Sequence, residues 1–225
     1  ITVFPELCLT GYTCGDLFGQ PLLQKAALDS LKKLVQASSR HNNVFIAGLP
    51  VMIDQQLYNC AAVLQKGRIL GIVPKRYIPN YNEFYEKRWF REGRDLNAEY
   101  VVLFGEHIPC GTDLLFQDIS SPDLCFAIEL CEDMWMAVPP SSLHALNGAV
   151  ILCNLSASNE IVGKHEYREM LVKCQSGRCI AGYVYTSAGV GESSTDLVFS
   201  GHGIIAEYGS VLGQTKRFQK DSQLL

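Results

Sequence analysis

Three short segments of this 225-residue chain each place one reactive side chain at the end of an apolar run. Phe4-Pro5-Glu6-Leu7 carries a carboxylate, Val73-Pro74-Lys75-Arg76 an ammonium, and Glu129-Leu130-Cys131-Glu132 a thiol. A thiol with a matched base and cation is a set that can break an amide bond through a thioester. The base takes the thiol proton, the thiolate attacks the carbonyl carbon, and the cation holds the oxyanion that forms.

Each group has an ordinary reading beside the chemical one. Most cysteines in apolar strands are packing residues. Cys131 differs in context, because the apolar run over residues 124–130 is broken at once by Glu132-Asp133-Met134-Trp135. A residue at such a sharp strand-to-helix turn is pushed outward, and the next backbone N–H, that of Glu132, is left free as an oxyanion donor. Two acids directly after a thiol raise its pKa, so a cation is expected nearby. Lys75 is the candidate cation: it closes an apolar run and opens a tyrosine-rich loop, although most lysines in turns are simply solvated. Glu6, between apolar neighbours, is either exposed on an edge strand or buried with a pKa raised into the useful range for proton transfer. Glu86 either orients the lysine or belongs to a charged surface loop.

The elements that would position these groups follow from periodicity. Residues 1–9 predict a buried strand closed by Thr10-Gly11-Tyr12. Residues 21–40 carry helical spacing, with Pro21 suited to a first turn and Leu22, Leu23, Ala26, Leu28, Leu31, Leu34 and Val35 on one face. Residues 44–52 predict a strand, and 58–65 with 68–74 a hairpin around Lys66-Gly67. Residues 76–96 are too charged and tyrosine-rich for a core element and read as a long functional loop. Further strands are expected at 101–103, 124–130, 149–155, 183–186, 197–205 and 210–215. Helices are expected at 141–146 and 164–179, the latter with Met170, Leu171 and Cys174 on one side. Strands alternating with helices early and hairpins late predict two mixed sheets with helices outside, in one domain. Ser187-Ala188-Gly189-Val190-Gly191-Glu192 has a Gly-x-Gly after a strand, but no lysine and no following helix, so it is a poor phosphate cradle.

Composition narrows the partners. A formal charge of −4 argues against nucleic acid or an anionic membrane. No apolar run approaches the roughly 20 residues of a membrane span, and the start has no leader pattern. Nine cysteines with irregular spacing and no Cys-x-x-Cys pair argue against a zinc site or a disulfide framework and for a reduced, cytoplasmic compartment. The chain opens directly into a strand without Met, so its natural start is expected upstream of Ile1.

At these residues the chain resembles the nitrilase (carbon–nitrogen hydrolase) superfamily, whose Glu–Lys–Cys triad is similar in order and spacing to Glu6, Lys75 and Cys131. Phe-Pro-Glu-Leu-x-Leu-Thr-Gly-Tyr, Leu-Cys-Glu-Asp-x-Trp and Asn-Leu-Ser-Ala-Ser narrow it: they resemble the glutaminase domain of glutamine-dependent NAD synthetases. The resemblance implies an α/β four-layer αββα sandwich over residues 1–225, incomplete at both ends. It implies that Cys131 attacks the side-chain amide of L-glutamine, with Glu6 as base and then acid, and Lys75 and the Glu132 N–H stabilising the oxyanion. The substrate's far end needs both an acid and a base. The matched positions are Glu132 and Tyr81 for the ammonium and Ser158 and Lys164 for the carboxylate, with Phe84 and Trp135 as apolar walls. No metal or cofactor is implied for this domain. ATP and Mg belong to a synthetase domain, whose Ser-Gly-Gly-x-Asp-Ser loop does not occur in the chain. Ammonia passed to that domain, and homo-oligomeric assembly, complete the expectation. The alternatives are a stand-alone amidase acting on another ω-amide or carbamoyl compound, and a docking module without chemistry.

Overall fold

The apolar runs assemble into two mixed sheets that meet face to face. The computed structural model describes residues 1–225. The first sheet has the order β1 (Thr2–Val3), β2 (Phe45–Ile53), β3 (Gln56–Gln65) and β4 (Arg68–Pro74), with β1 parallel to β2 and the rest antiparallel. Two small hairpins follow, β5 (Asn80–Tyr81) with β6 (Phe84–Tyr85), and β7 (Tyr100–Leu103) with β8 (Glu106–Pro109). The second sheet comprises β9 (Leu115–Gln117), β10 (Cys125–Leu130), β11 (Ile151–Ser156), β12 (Gly182–Ser187), β13 (Ile204–Glu207) and β14 (Ser210–Gln214), adjacent in that order. β10, β11 and β12 run parallel, with antiparallel strands on both sides.

Three apolar layers hold the stack together. Between the sheets, Ile46, Ala61, Val63 and Val73 interlock with Phe126, Ile128, Leu130, Cys153 and Leu155. Outside the first sheet, helix α1 (Pro21–Ser38) packs Leu31, Leu28, Leu34 and Val35 onto Leu49, Cys60, Ala62 and Leu64. Outside the second lie α2 (Pro140–Leu146) and α3 (Lys164–Cys179), with Val172 and Leu171 against Leu152, Tyr183 and Ala206. This is the αββα sandwich. It explains why β3 is buried along nearly its whole length: one face meets a helix and the other a sheet. Each fully buried Leu, Ile or Val contributes about 2 kcal/mol.

Several expected elements differ, each for a local reason. Residues 1–9 do not form one strand: pairing stops after Val3, and a turn with Leu7 at φ 51° follows. The 76–96 segment holds β5, β6 and two short 3₁₀ turns (Glu86–Arg88 and Gly93–Asp95). The strand expected over 197–205 begins only at Ile204, and β8 and β9 were not visible as apolar runs. Along α1, Leu22 points to solvent at 80 % exposure. Along α3, Met170 is exposed, and the buried face is largely polar: Arg168, Gln175 and Ser176 beside Val172.

One glycine decides how closely the turn after β1 can approach. A Cβ at Gly48 in β2 would lie 2.3 Å from the Leu7 nitrogen and 2.8 Å from the Pro5 carbonyl oxygen. Those are backbone atoms that cannot swing aside. Gly48→Ala is expected to destabilise the fold by about 2–3 kcal/mol, measured by chemical denaturation.

Candidate active site

The site is built where the C-terminal ends of β4 and β10 approach the turn after β1, so both sheets contribute. Lys75 follows β4 directly and its N–H continues the ladder to the Asn59 carbonyl at 2.7 Å. The Lys75 side chain is completely buried. Its Nζ donates to Glu6 Oε1 at 2.6 Å and to Glu86 Oε1 and Oε2 at 2.8 and 3.0 Å. Burial works against the ammonium, but Glu6 and Glu86 outweigh it and hold its pKa well above the ordinary lysine value. Glu6 is shifted upward by its own burial, against the opposing Lys75 charge.

Asn59 donates to Glu6 Oε1 at 2.6 Å, and the Tyr12 hydroxyl donates to Glu86 Oε1 at 2.7 Å. Neither partnership was expected from the sequence, because both pairings span long stretches of chain: Asn59 with Glu6 and Tyr12 with Glu86. Glu86 is buried against the lysine, and of its two readings the orienting contact is the one found. The second oxygen of Glu6, Oε2, has no hydrogen-bond partner. A buried carboxylate oxygen left open beside a buried ammonium is an acceptor in waiting.

Cys131 sits at the break after β10. Leu130 is extended at φ −121°, and Cys131 turns to φ 43°, a left-handed conformation uncommon for a non-glycine residue. A short 3₁₀ turn, Cys131–Trp135, then begins. The thiol is buried, and burial raises its pKa, with Glu6 and Glu86 adding to the rise and Lys75 opposing it. The acids that bear on the thiol are therefore these two, rather than the adjacent Glu132 and Asp133 expected from the sequence. Burial thus favours the neutral thiol, and the lysine is placed to meet negative charge as it develops.

Asp133 does something else. Its buried carboxylate accepts from the backbone N–H groups of Leu130 (3.0 Å), Tyr77 (2.9 Å) and Arg76 (3.3 Å). It thereby ties the end of β10 to the segment after Lys75, a bridge between the two sheets. Burial pushes this carboxyl up to about 8 despite those three donors.

The expected substrate-contacting residues cluster beside the thiol. Tyr81 donates to the Glu132 carboxylate at 2.9 and 3.1 Å. Lys164 Nζ lies 5.3 Å from the ring centroids of both Phe84 and Trp135, and donates to Asn159 Oδ1. Burial lowers its pKa. The Ser158 hydroxyl accepts from Arg168 at 3.3 Å, and its N–H donates to Ser187 Oγ at 3.0 Å. Arg168, fully buried, also pairs with Glu160 at 2.6 Å. A cavity of about 220 Å³ opens beside Tyr12, Glu83, Phe84, Trp89 and Leu197, next to the buried cluster but not lined by Cys131. In the Ser187–Glu192 segment, Glu192 accepts from the N–H groups of Tyr12 and Thr13.

Comparison with known proteins agrees with this geometry. Residues 1–224 match the carbon-nitrogen hydrolase family. A glutamine-dependent NAD(+) synthetase from Mycobacterium tuberculosis is 42% identical over 98% of this chain, and the chain spans about a third (32%) of that relative's length. The crystal structure of a glutamine-dependent NAD(+) synthetase from Cytophaga hutchinsonii superposes with a TM-score of 0.84 at 28% identity, over 96% of this chain and 34% of that one. An amidase from Nesterenkonia shares the fold, with a TM-score of 0.73 at 16% identity over 95% of this chain and 72% of that one. The buried Glu–Lys pair, the left-handed cysteine turn and the full-length family match place this chain in the carbon–nitrogen hydrolase family.

Proposed function

We propose that the chain is the glutamine-hydrolysing module of a glutamine-dependent NAD synthetase, converting L-glutamine to glutamate and ammonia. The observation that carries this reading is the buried Lys75 ammonium clamped by Glu6 and Glu86, with Glu6 Oε2 left open. The thiol of Cys131 passes its proton to that oxygen as Sγ attacks the glutamine amide carbon. The resulting oxyanion is met by Lys75 Nζ and the Glu132 N–H. Glu6 returns the proton to the leaving nitrogen, the C–N bond breaks, and ammonia departs from a glutamyl thioester. Water then gives a proton to Glu6 as it adds to the thioester, and collapse releases glutamate and restores the thiol.

Recognition of the free amino acid rests on its two charged ends. The Glu132–Tyr81 pair supplies a carboxylate for the substrate ammonium, and Lys164 with Ser158 supplies donors for its carboxylate. Phe84 and Trp135 form the apolar walls between. On this reading ammonia passes to a synthetase domain of the same parent chain, which uses ATP and Mg to make NAD from its deamido precursor. The protein works in the cytoplasm as a homo-oligomer, and this domain needs no cofactor of its own. The activity of the glutamine-dependent NAD(+) synthetases the chain resembles, and their greater length, support that division of labour.

Three outcomes are expected. Cys131→Ala should lower ammonia release from glutamine by about 10⁴-fold or more, and the analogue diazo-oxo-norleucine should alkylate Cys131 with loss of N2, adding its mass less that of N2, in the protein with Cys131 intact only. Persistent release from the variant would remove Cys131 from the reaction. Glu132→Ala should raise KM for glutamine about 10- to 100-fold while leaving hydrolysis of butyramide, which has no ammonium, unchanged. Equal losses on both amides would point to a different ω-amide substrate. Because burial raises Glu6 and its carboxylate form is the base, kcat/KM should fall as pH drops through a value above the ordinary 4.5. An acid limb at or below 4.5 would show that another group is titrating.

A further inference from the structure

Glu192 lies outside the reactive cluster, in the glycine-containing segment after β12, and its carboxylate is spent on a single task. It accepts from the Tyr12 N–H at 2.8 Å, the Thr13 N–H at 3.1 Å and the Thr13 hydroxyl at 2.8 Å. The Ser193 N–H returns a bond to Thr13 Oγ1 at 3.0 Å. The approach depends on Gly11, at φ 89°, where a Cβ would stand 3.4 Å from the Glu192 carboxylate.

The two ends of the 6–13 segment are anchored differently. At its start, Glu6 N–H donates to the Ser156 carbonyl and Leu9 N–H to the Gly48 carbonyl, so both sheets hold the Glu6 end. At Tyr12 and Thr13 the backbone donors have Glu192 as their acceptor. Tyr12 is also the residue whose hydroxyl reaches Glu86 at 2.7 Å, and Glu86 in turn grips Lys75. A path of charge-assisted hydrogen bonds therefore runs from a partly exposed carboxylate, through one tyrosine, to the buried ammonium.

Building on the proposed glutaminase reaction, we infer that Glu192 is a positioning residue for it: by fastening Tyr12 it sets the Tyr12–Glu86 bond and so the seat of Lys75. It touches no reacting atom. Its effect passes through the Tyr12 hydroxyl, and that makes the inference testable as a coupling.

The experiment is a double-mutant cycle of Glu192→Ala and Tyr12→Phe in the full-length protein. It has two readouts: kcat and KM for glutamine, and the pH–rate curve for alkylation of Cys131 by iodoacetamide, followed on the Cys131 peptide by mass spectrometry. Each single variant is expected to lower kcat about 10-fold with KM changed less than about 2-fold, and the double variant to match Tyr12→Phe alone. The midpoint of Cys131 alkylation should shift in the same direction in both single variants and no further in the double. Glu192→Ala alters a half-buried side chain and Tyr12→Phe removes one buried hydroxyl, and melting temperatures will show whether both variants are folded. The inference is overturned if Glu192→Ala leaves both the midpoint and kcat as in the parent protein, or if the two losses multiply in the double variant. If the parent protein releases no ammonia from glutamine, the glutaminase reading fails, and the alkylation cycle still decides the role of Glu192.

Discussion

A completely buried ammonium sets the terms for the rest of this structure. Removing Lys75 from water costs several kcal/mol unless opposite charge and hydrogen bonds replace the solvent. Glu6 and Glu86 supply the charge, with Asn59 and Tyr12 holding the two carboxylates in turn. Two carboxylates against one ammonium leave the cluster with an excess of negative charge. Burial raises Glu6 against the opposing Lys75 charge, with Glu86 adding to the rise, and it raises the neighbouring thiol in the same direction. The same burial that makes the cluster expensive makes Glu6 a stronger base.

Positioning is done by backbone devices as much as by side chains. Leu7 and Cys131 both adopt left-handed conformations, one on each side of the site. Such strain persists only where the surroundings over-determine it. At Leu7 the surroundings are the close contact with Gly48; at Cys131 they are the three N–H bonds gathered by Asp133. Asp133 was one of the two acids expected to bear on the thiol, yet its carboxylate faces the main chain and acts as a tie between the sheets.

The layered architecture was legible because its signals are local. Runs such as Phe45–Ile53 and Cys125–Leu130, and the helical spacing of Pro21–Ser38, need only one period to be read. The positions of Glu6, Lys75 and Cys131 stood out because each closes such a run. What stayed hidden is what tertiary contact creates. The turn after Val3, the small hairpins within 76–109 and the late start of β13 follow from packing that no single window contains. The contacts of Asn59, Tyr12 and Glu192 arise from partners across long stretches of chain. The buried polar stripe of α3 misled for the same reason: Arg168 faces inward because Glu160 is there to receive it.

The two sheets divide the reactive groups between them. Lys75 and the Glu6 turn belong to the sheet of β1–β4, and Cys131 to the sheet of β9–β14. A folding intermediate with only the first sheet formed would hold an acid–base pair with nothing to activate, and one with only the second a bare thiol. The three groups therefore come together only where the interlayer packing is closed. Sheets held apart leave the thiol without its base and its cation.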